Sequence, residues 1–392
     1  GRVTYAGASG LLTDSANLLY SGGDLTVYGL TVGRGLGAVA TNTAVGYGSL
    51  ASNTTGAQNT SIGENALNSN TTGVRNVAFG DVSLRVNTSG NDNVAVGSNA
   101  MYTSTTGSNN TAIGKDSLYL STTASHNTAV GFQAGYSNTT GAFNAFFGRL
   151  AGYSNTTANA VTAIGNGAAN ANTTGANTTA IGSEALVLNT TGNYNTAVGS
   201  NALAANTIGA NNTAVGYQAL TALNSVSNAN SNTAVGFQAL KSLTVGQFNT
   251  AIGYTAMFSN TGDTYSTAIG ARTLYSNTTG AYNFAGGDVA LNGNTTGSNN
   301  VAIGNSALEL QTTGSNNVAI GFNALKANTT ASNNTAVGYQ AGYSTTTGSV
   351  TALGALTGYS NTSGTRNVAV GNNSLYSNTT GVKNVAVGYY AF

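Results

Sequence analysis

The sequence predicts an all-β fold, a parallel β-solenoid of about 21 coils that share a 17-residue unit. Three observations predict this fold. The nonapeptide NTAVGYQAL at Asn212–Leu220 returns as NTAVGFQAL at Asn232–Leu240. Looser copies recur with a period of 17, apart from one spacing of 20 and one of 16, and each copy has glycine at its fifth position. A period in this range is typical of solenoids, whose units bury their apolar faces only against one another.

The columns of the aligned repeat predict one short strand per coil. We number the first residue of each copy position 0. Position +1 is mostly Thr or Val, +2 is nearly always Ala, +3 is aliphatic or Phe in 20 copies, and +4 is Gly in all 21. This pattern indicates Thr/Val and Val/Ile on one face of the strand, with Ala and Gly on the other. The copies begin at Asn42, Asn59, Asn76, Asn93, Asn110, Asn127, Asn144, Val161, Thr178, Asn195, Asn212, Asn232, Asn249, Ser266, Asn283, Asn300, Asn317, Asn334, Val350, Asn367 and Asn384.

The glycines at position +4, which we call the corner glycines, are predicted to be structural. An invariant glycine in a strand indicates a bend, or a point where another backbone passes too close for a Cβ atom. We expect both here. The corner glycines include Gly46, Gly63, Gly80, Gly97, Gly114, Gly131, Gly199, Gly216, Gly304, Gly321 and Gly388.

The rest of the unit predicts a second short strand and a polar turn. An aromatic residue is frequent at +5, Ala or Ser occupies +7 and Leu occupies +8. The turn that follows reads Ser-Asn-Thr-Thr-Gly, and we expect its glycine, as at Gly56, Gly73, Gly141, Gly280 and Gly381, to supply a positive φ. Stacked at about 4.8 Å per coil, 21 coils would give a rod of about 100 Å. Identical residues would then form ladders, with Asn side chains hydrogen-bonded along the axis.

Four copies replace the Leu at +8 with Gly, always followed by Tyr. Losing a buried Leu leaves a void that costs a few kcal/mol unless another group fills it. We expect the neighbouring Tyr to fill it. The four glycines are Gly135, Gly152, Gly342 and Gly358.

The domain organisation follows from where the repeat holds. Residues 42–392 form the repeat region, with an insertion near 221–231, whereas residues 1–41 do not follow the unit. In residues 1–41, two alternating segments flank Gly22-Gly23 and predict strands joined by a turn, which would act as an N-terminal connector or cap. The chain starts without Met and stops inside a unit at Phe392, so we expect further sequence or a partner beyond it.

Composition disfavours several classes of protein. Charged residues are only 5%, the net charge is +1 and the basic residues form no stripe, which argues against a nucleic-acid partner. No apolar run is long enough to predict a membrane span. Cys and Pro are both absent, so there is no disulfide framework and no proline to interrupt strand pairing. The Asn-Thr-Thr sequons, as at Asn53, Asn70 and Asn189, are interpreted as turn chemistry and not as glycan acceptors.

The sequence predicts no catalytic, metal or cofactor site. His126 is the only histidine and lies in a turn, where we expect it to be solvated. Glu64 and Asp81 share position +5 on adjacent coils, but no basic residue stands nearby to make an acid–base couple. The other carboxylates lie on distant coils, and neither a calcium-binding Asp ladder nor a phosphate-binding glycine loop occurs. We therefore expect a protein that is not an enzyme and needs no cofactor.

Two non-enzymatic signals remain. A column of aromatic residues at +9 is open to two interpretations: ladder packing that anchors the loop, or contact with sugar rings of a host glycan. Its tyrosines are Tyr102, Tyr119, Tyr136, Tyr153, Tyr275, Tyr343, Tyr359 and Tyr376. The Thr-rich surface could also suggest ice binding, but Val, Ala and Phe interrupt the Thr column at +1, which disfavours that function.

The repeats resemble the head repeats of YadA-like trimeric autotransporter adhesins. The resemblance rests on Asn300-Val-Ala-Ile-Gly304, Asn317-Val-Ala-Ile-Gly321 and Asn93-Val-Ala-Val-Gly97, and extends in looser form over residues 42–392. The family unit is shorter than the unit of this chain, and the longer form is similar to repeats of bacteriophage tail fibres. The resemblance implies a left-handed roll, and three rolls packed around one axis with the small-residue face as the contact surface.

These observations together predict an extracellular structural and adhesive fibre, the shaft or head of a phage tail fibre that mediates attachment to a host surface. Its expected partners are two further copies of the same chain, other fibre or cell-surface components at both ends, and surface glycans. The alternatives are a bacterial trimeric surface adhesin and a self-assembling extracellular filament.

Overall fold

The computed structural model describes residues 2–6, 12–21, 24–27, 30–224 and 230–392. Across those residues the protein contains strands and turns and no helix, which confirms the all-β prediction. Two sequence predictions fall partly outside the described residues: the Gly22-Gly23 turn, and the middle of the insertion at 225–229. The chain divides into two compact units, Gly1–Thr191 and Gly192–Phe392.

Unit 1 begins with four antiparallel strands and continues with nine parallel ones. β1 pairs with β2, β2 with β3, β3 with β4, and β4 with the first repeat strand, β5, all antiparallel. The predicted strands of residues 1–41 are thus present and lead directly into the first coil; a domain boundary at residue 41 stays a prediction. The strands are β1 (Arg2–Ala6), β2 (Leu12–Ser21), β3 (Asp24–Val27), β4 (Leu30–Gly33), β5 (Thr43–Val45), β6 (Thr60–Ile62), β7 (Val77–Phe79), β8 (Val94–Val96), β9 (Thr111–Ile113), β10 (Thr128–Val130), β11 (Ala145–Phe147), β12 (Thr162–Ile164) and β13 (Thr179–Ile181).

Unit 2 contains twelve parallel strands. They are β14 (Thr196–Val198), β15 (Thr213–Val215), β16 (Thr233–Val235), β17 (Thr250–Ile252), β18 (Thr267–Ile269), β19 (Phe284–Gly286), β20 (Val301–Ile303), β21 (Val318–Ile320), β22 (Thr335–Val337), β23 (Val350–Leu353), β24 (Asn367–Val370) and β25 (Val385–Val387). With the nine parallel strands of unit 1, each of the 21 predicted copies contains one strand, and each unit is a β-solenoid.

Like residues pair with like residues in the stack. Thr43 pairs with Thr60 and Val45 with Ile62 in unit 1, and the same register runs through both units. The two irregular spacings do not disturb it: Thr213 still pairs with Thr233 across the longest spacing, and Thr335 with Thr351 across the shortest. Length changes are therefore absorbed in the loops, because a register slip would turn every side chain to the wrong face.

The predicted second strand is not present. Residues +5 to +10 form turns, because +6 and +8 take positive φ, as at Asn65 (51°) and Leu67 (47°). The segment still bonds between coils: Asn65 donates its N–H to the Tyr47 carbonyl, and Leu67 donates to that of Ser83. A second strand was predicted because polar and apolar residues alternate in this segment, as they do in a strand. The positive φ of every second residue, which makes the segment a series of turns, leaves no trace in the pattern of side-chain polarity.

The core consists of the alanines at +2 and the leucines at +8. Ala112 and Leu118 are representative, and both are fully buried. The face of the strand made of small residues therefore points into the coil. The small-residue face was predicted to be the contact surface between chains; that prediction is wrong, because the alanine side chains have no exposed area left to contact another chain.

The corner glycines have both predicted roles. All 21 take positive φ between 116° and 144°, a region that L side chains rarely adopt. At Gly199, for example, an added Cβ atom would stand 2.5 Å from the carbonyl oxygen of the next corner glycine, Gly216. Any side chain at this position would therefore push two coils apart.

The loop glycines are required for a different reason than predicted. Gly56, Gly73, Gly141, Gly280 and Gly381 do not have positive φ. A Cβ atom at Gly56 would instead meet the Asn53 side-chain oxygen at 2.6 Å and the Asn70 side-chain nitrogen at 2.7 Å. Space, and not backbone conformation, thus selects glycine at this position.

Two ladders of buried asparagines follow each stack, as predicted. In the ladder at position 0, Asn76 donates its backbone N–H to Asn59 Oδ1 at 2.9 Å, and its amide Nδ2 to the Gly90 carbonyl at 2.8 Å. In the ladder at +11, Asn87 Nδ2 donates to Asn70 Oδ1 at 2.8 Å. The sequon asparagines Asn53, Asn70 and Asn189 are fully buried in the latter, which confirms their structural interpretation.

The voids left by the missing leucines are filled from the strand and not by tyrosine. Phe146 replaces the usual Ala at +2 and is fully buried. A Cβ atom on Gly135 would stand 2.5 Å from its ring, and the Gly152 position faces the same ring. Near Gly342 and Gly358 the filling group is Val350, which replaces an Asn at position 0. The expectation that the adjacent tyrosines fill these voids is wrong; they stack on one another outside the core.

Candidate functional site

An exposed aliphatic stripe, formed by the side chains at position +3, is the first candidate surface. Because Ala at +2 points inward, the residues on either side of it in each strand point outward. Ile113 is 40% exposed, Ile269 45% and Ile303 41%. The residues of this stripe that are most exposed are Phe79, Ile113, Phe147 and Ile164 in unit 1, and Ile252, Ile269, Ile303, Val337, Leu353 and Val387 in unit 2.

Aromatic residues at +5 extend the apolar surface past the corner glycine. Tyr217, Phe237 and Tyr254 stack with their ring centroids 5.4 Å apart, and Phe322 stacks on Tyr339 at 5.7 Å. All five are exposed. Together with the stripe they give each coil that carries them two neighbouring outward apolar side chains.

The tyrosines at +9, predicted as either anchors or glycan contacts, form half-buried stacks. Tyr102, Tyr119, Tyr136 and Tyr153 stack in sequence with centroids 5.1–5.3 Å apart. The other members stack likewise: Tyr275 on Phe258, and Tyr343, Tyr359 and Tyr376 on one another. Burial, with the neighbouring phenols as a second cause, raises the pKa of Tyr136 above its usual value.

This stacking favours the anchoring interpretation. Sugars bind aromatic side chains through the ring faces, and inside a stack those faces contact the next ring. Only edges and hydroxyl groups remain for a ligand, except at the ends of each stack. At one such end Arg85 covers Tyr102, with its guanidinium carbon 5.6 Å from the ring centroid. A glycan contact at these tyrosines stays a prediction.

A further outward column, at position −1, was not recognised from the sequence. Its residues have positive φ near 60° and point into solvent. His126 lies here, exposed as predicted, and stacks on Phe143 at 5.1 Å; Phe248, Tyr265 and Tyr282 form a longer stack at 5.0–5.2 Å. Reading column −1 down the repeat, instead of each loop separately, would have revealed it.

Column −1 also shows how charges pair across coils. Arg75 bridges Asp92 on the next coil with two hydrogen bonds, from Nε to Oδ1 at 2.5 Å and from Nη2 to Oδ2 at 2.8 Å. Hydrogen bonding to Arg75 lowers the pKa of Asp92. A side chain in this column therefore reaches a group in the same column one coil away.

One carboxyl group is buried in an asparagine ladder. Asp263 is fully buried at a position that is otherwise Gly or Ala, and one of its oxygens accepts hydrogen bonds from Asn260 Nδ2 and Asn277 Nδ2, both at 3.0 Å. Burial raises its pKa to about 7, although hydrogen bonds from Ser266 and Asn260 oppose the shift. Asp263 is the only carboxylate residue of its coil in the sequence, and its contact with the asparagine ladder arises only when the coils stack.

The two carboxylates at +5, for which no acid–base role was predicted, lie at the surface. Glu64 and Asp81 are both exposed on adjacent coils. Among the described residues no three His, Cys, Asp or Glu side chains come close enough to hold a metal ion. The same residues contain no helix of the length and apolarity that crossing a membrane requires.

A cleft of about 270 Å³ lies beside the shortened coil of unit 2. It is lined by Asn333, Ser349, Val350, Thr351, Arg366, Asn367 and Val368. It coincides with the single spacing of 16, so one loop residue is missing where the cleft opens.

Comparison with known proteins leaves the fold as the main guide to function. No protein-family model matches the chain, and no curated protein matches it either.

Proposed function

We propose that this chain is an extracellular structural and adhesive fibre protein that assembles with copies of itself, as a homotrimer, and forms the shaft or head of a phage tail fibre that attaches to a host surface. The exposed aliphatic stripe is the observation that carries the proposal. Monomeric soluble proteins rarely expose contiguous apolar patches larger than a few hundred Å². A row of outward Ile, Val and Phe side chains that repeats coil after coil exceeds what a monomer needs.

A second copy of the same chain is the best occupant of this stripe. The stripe has the coil spacing as its period, so only a partner with the same period matches it along its length. Charged residues make up only 5% of the chain, so its surface offers little to recognise a partner by electrostatics. Burying aliphatic side chains against their equivalents contributes about 25 cal/mol per Å² of apolar area.

The stacked backbone suits a mechanical role. Nearly every coil bonds to the next through strand, turn and asparagine ladder, so a local opening breaks several bonds at once. A protein of this kind resists proteases and shear, and can hold a recognition element away from a particle. This role requires no catalytic group.

Sedimentation equilibrium of the purified chain tests the proposal. We expect a mass of three times 38.8 kDa over a range of concentrations. The variant with Ile269→Lys and Ile303→Lys places charges in the stripe and should lower the mass toward that of one chain.

The matched control places the same charges on exposed loop positions of the same part of unit 2, with Thr279→Lys and Thr313→Lys. It should keep the wild-type mass. A wild-type chain that sediments as a monomer would refute the trimer, and growth without limit as concentration rises would indicate an open filament instead.

A further inference from the structure

The cleft beside the shortened coil is a built feature and not an irregularity of the surface. Complete coils have three residues between the Thr-Thr pair and position 0, as in Ala331-Ser332-Asn333. The coil that starts at Val350 has only Gly348 and Ser349 there. Column −1 thus loses one member, and the residues on either side of the gap, Asn333 and Arg366, are separated by two coils, or about 10 Å.

The residues at the gap make defined hydrogen bonds. In most complete coils the residue at −1 donates its backbone N–H to a carbonyl of the preceding coil, as Asn333 does to Ser315 at 3.0 Å. Arg366 instead donates its backbone N–H to the Ser349 hydroxyl oxygen at 2.8 Å. Ser349 is held in turn by its own N–H bond to the Gly364 carbonyl. The opening is therefore a defined part of the native fold.

Arg366 lies in a stretch of the chain that contains no carboxylate side chain. The last Asp or Glu of the chain is Glu309, which pairs with Lys326 at 3.2 Å. Lys383 occupies column −1 one coil after Arg366 and adds a second positive charge. Arg75 in the same column shows what such an arginine does when a carboxylate stands on the neighbouring coil: it binds both oxygens.

We propose that this cleft binds a carboxylated sugar, such as a uronic acid, of a surface polysaccharide. The sugar carboxylate would bind the Arg366 guanidinium in the two-bond geometry that Asp92 adopts with Arg75. The half-buried Val368 side chain offers an apolar contact to the C–H face of a pyranose ring, and Asn333 and Ser349 offer an amide and a hydroxyl to its hydroxyl groups. This inference rests on the proposed attachment function and gives it a ligand class.

The cleft and the self-association surface occupy different ends of the strand. The cleft lies at positions −1 to +1 of its coils, where Val368 is at +1, whereas the exposed aliphatic stripe is at +3. Because the cleft and the stripe consist of different residues, separate variants can test the two proposals on the assembled protein.

Calorimetric titration with oligogalacturonate tests the site, with the methyl-esterified oligosaccharide as the matched uncharged ligand. We expect saturable binding of oligogalacturonate and at least tenfold weaker binding of the ester. Arg366→Gln should weaken oligogalacturonate binding by about tenfold or more, the loss typical of one charge-assisted pair. Arg149→Gln, which removes an exposed arginine elsewhere, should bind like the wild type.

A second variant separates the cleft from the charge. Inserting one Asn between Ser349 and Val350 restores the 17-residue coil and fills the gap, while Arg366 stays in place. It should lose binding and keep the wild-type denaturation midpoint. If the insertion variant misfolds, Arg366→Gln, which leaves the cleft intact, still tests whether the site binds the carboxylate.

Several outcomes would overturn the proposal. Equal binding of the ester would exclude carboxylate recognition, and equal binding by Arg366→Gln would exclude this arginine. A preference for sulfated oligosaccharides or for acidic peptides would assign the cleft to another ligand. If the trimer forms but oligogalacturonate does not bind, the proposed sugar site is refuted and the proposed assembly stands. If a monomeric chain binds oligogalacturonate, the proposed assembly is refuted and the sugar site stands.

Discussion

At the scale of single residues, the stack holds side chains in conformations that they would not choose alone. Leucine at +8 has positive φ, 47° at Leu118 and 53° at Leu186. Left-handed conformations cost L residues roughly 1–2 kcal/mol each. The leucine side chains are fully buried against the neighbouring coils, and burying a Leu contributes about 1.5–3 kcal/mol, which offsets the strain. Position in the coil therefore decides backbone conformation more than residue type does.

At the same scale, the predicted roles of the corner glycines were correct and the predicted φ of the loop glycines was wrong. The corner glycines were predicted correctly because an invariant glycine has few explanations, and the structure contains both of those proposed. The loop glycines were assigned a positive φ because glycine in a polar turn usually has one. What excludes a side chain at Gly56 is the backbone carbonyl of Gly73 on the next coil together with the asparagine amides around it, and the contacts with the next coil arise only when coils stack.

Asp263 makes stability depend on pH. Its pKa is about 7 in the folded protein and about 3.8 when unfolded, so the folded state binds the proton more tightly. Its contribution is therefore fully present below about pH 4, falls as pH rises to about 7, and is constant above that. Each pKa unit corresponds to about 1.4 kcal/mol. We expect the urea midpoint of unit 2 to fall across this range.

Asp263→Asn is the variant that isolates this effect. Because the amide cannot ionise, its midpoint should be nearly independent of pH between 4 and 7, and higher than the wild-type midpoint at pH 8. The hydrogen-bond partners of Asp263 are neutral side chains, so no paired charge is lost. If the wild type and the variant show the same slope, the buried carboxyl does not have the raised pKa.

At the scale of one coil, packing follows complementarity between neighbours and not the consensus of each copy. Two adjacent coils lack the Leu at +8, and the second of them carries Phe146 in place of Ala at +2. One large side chain thus replaces two missing ones. The sequence alone suggested the adjacent tyrosines, because in sequence they are the nearest large groups, whereas the residue that fills the space comes from position +2.

Phe146→Ala should be strongly destabilising. The two coils around this site have no leucine at +8 to fill the space that the ring leaves. Truncating a buried Phe to Ala lowers the free energy of unfolding by about 3–5 kcal/mol. Phe143→Ala is the matched control: it lies three residues away, undergoes the same change, is 66% exposed and stands outside the exposed aliphatic stripe. We expect it to cost about 1 kcal/mol or less. Denaturant unfolding of both variants measures the difference.

A compensating variant tests the explanation itself. Adding Gly135→Leu and Gly152→Leu to Phe146→Ala restores the consensus of the other coils, and both glycines have the positive φ that leucine adopts elsewhere at +8. This triple variant should recover most of the lost stability. Equal losses for Phe146→Ala and Phe143→Ala would show that the Phe146 ring does not support the core.

At the scale of the whole molecule, the sequence predicted the fold because a repeat needs few rules. One 17-residue unit, copied with its register, specifies each unit of the solenoid, and the two irregular spacings are accommodated without loss of pairing. The candidate surfaces were harder to predict. The division of the strand into two faces was predicted correctly. Which face points inward depends on the turn segment that follows, and side-chain polarity does not reveal the positive φ values of that segment.

The inward Ala face has a direct consequence for assembly. It moves the expected self-contact from the small side chains to the exposed aliphatic stripe, and so changes which substitutions should dissociate the protein. The stripe and the cleft at Arg366 consist of different residues. Assembly and ligand binding are thus expected to respond to different variants.

Engineered cysteine pairs test the stacking of coils most directly, because the chain contains no cysteine of its own. Thr279 and Thr296 are exposed equivalents on adjacent coils, and Thr279 donates its N–H to the carbonyl of Thr295 at 3.3 Å. Equivalent residues one coil apart are about 4.8 Å apart, within disulfide reach, whereas two coils put them about 10 Å apart, beyond it. We expect the variant with Thr279→Cys and Thr296→Cys to form a disulfide within one chain on mild oxidation, measured by thiol titration and mass. The variant with Thr279→Cys and Thr313→Cys should keep both thiols within the chain; if that pair closes instead, or if neither does, the coils are not stacked like on like.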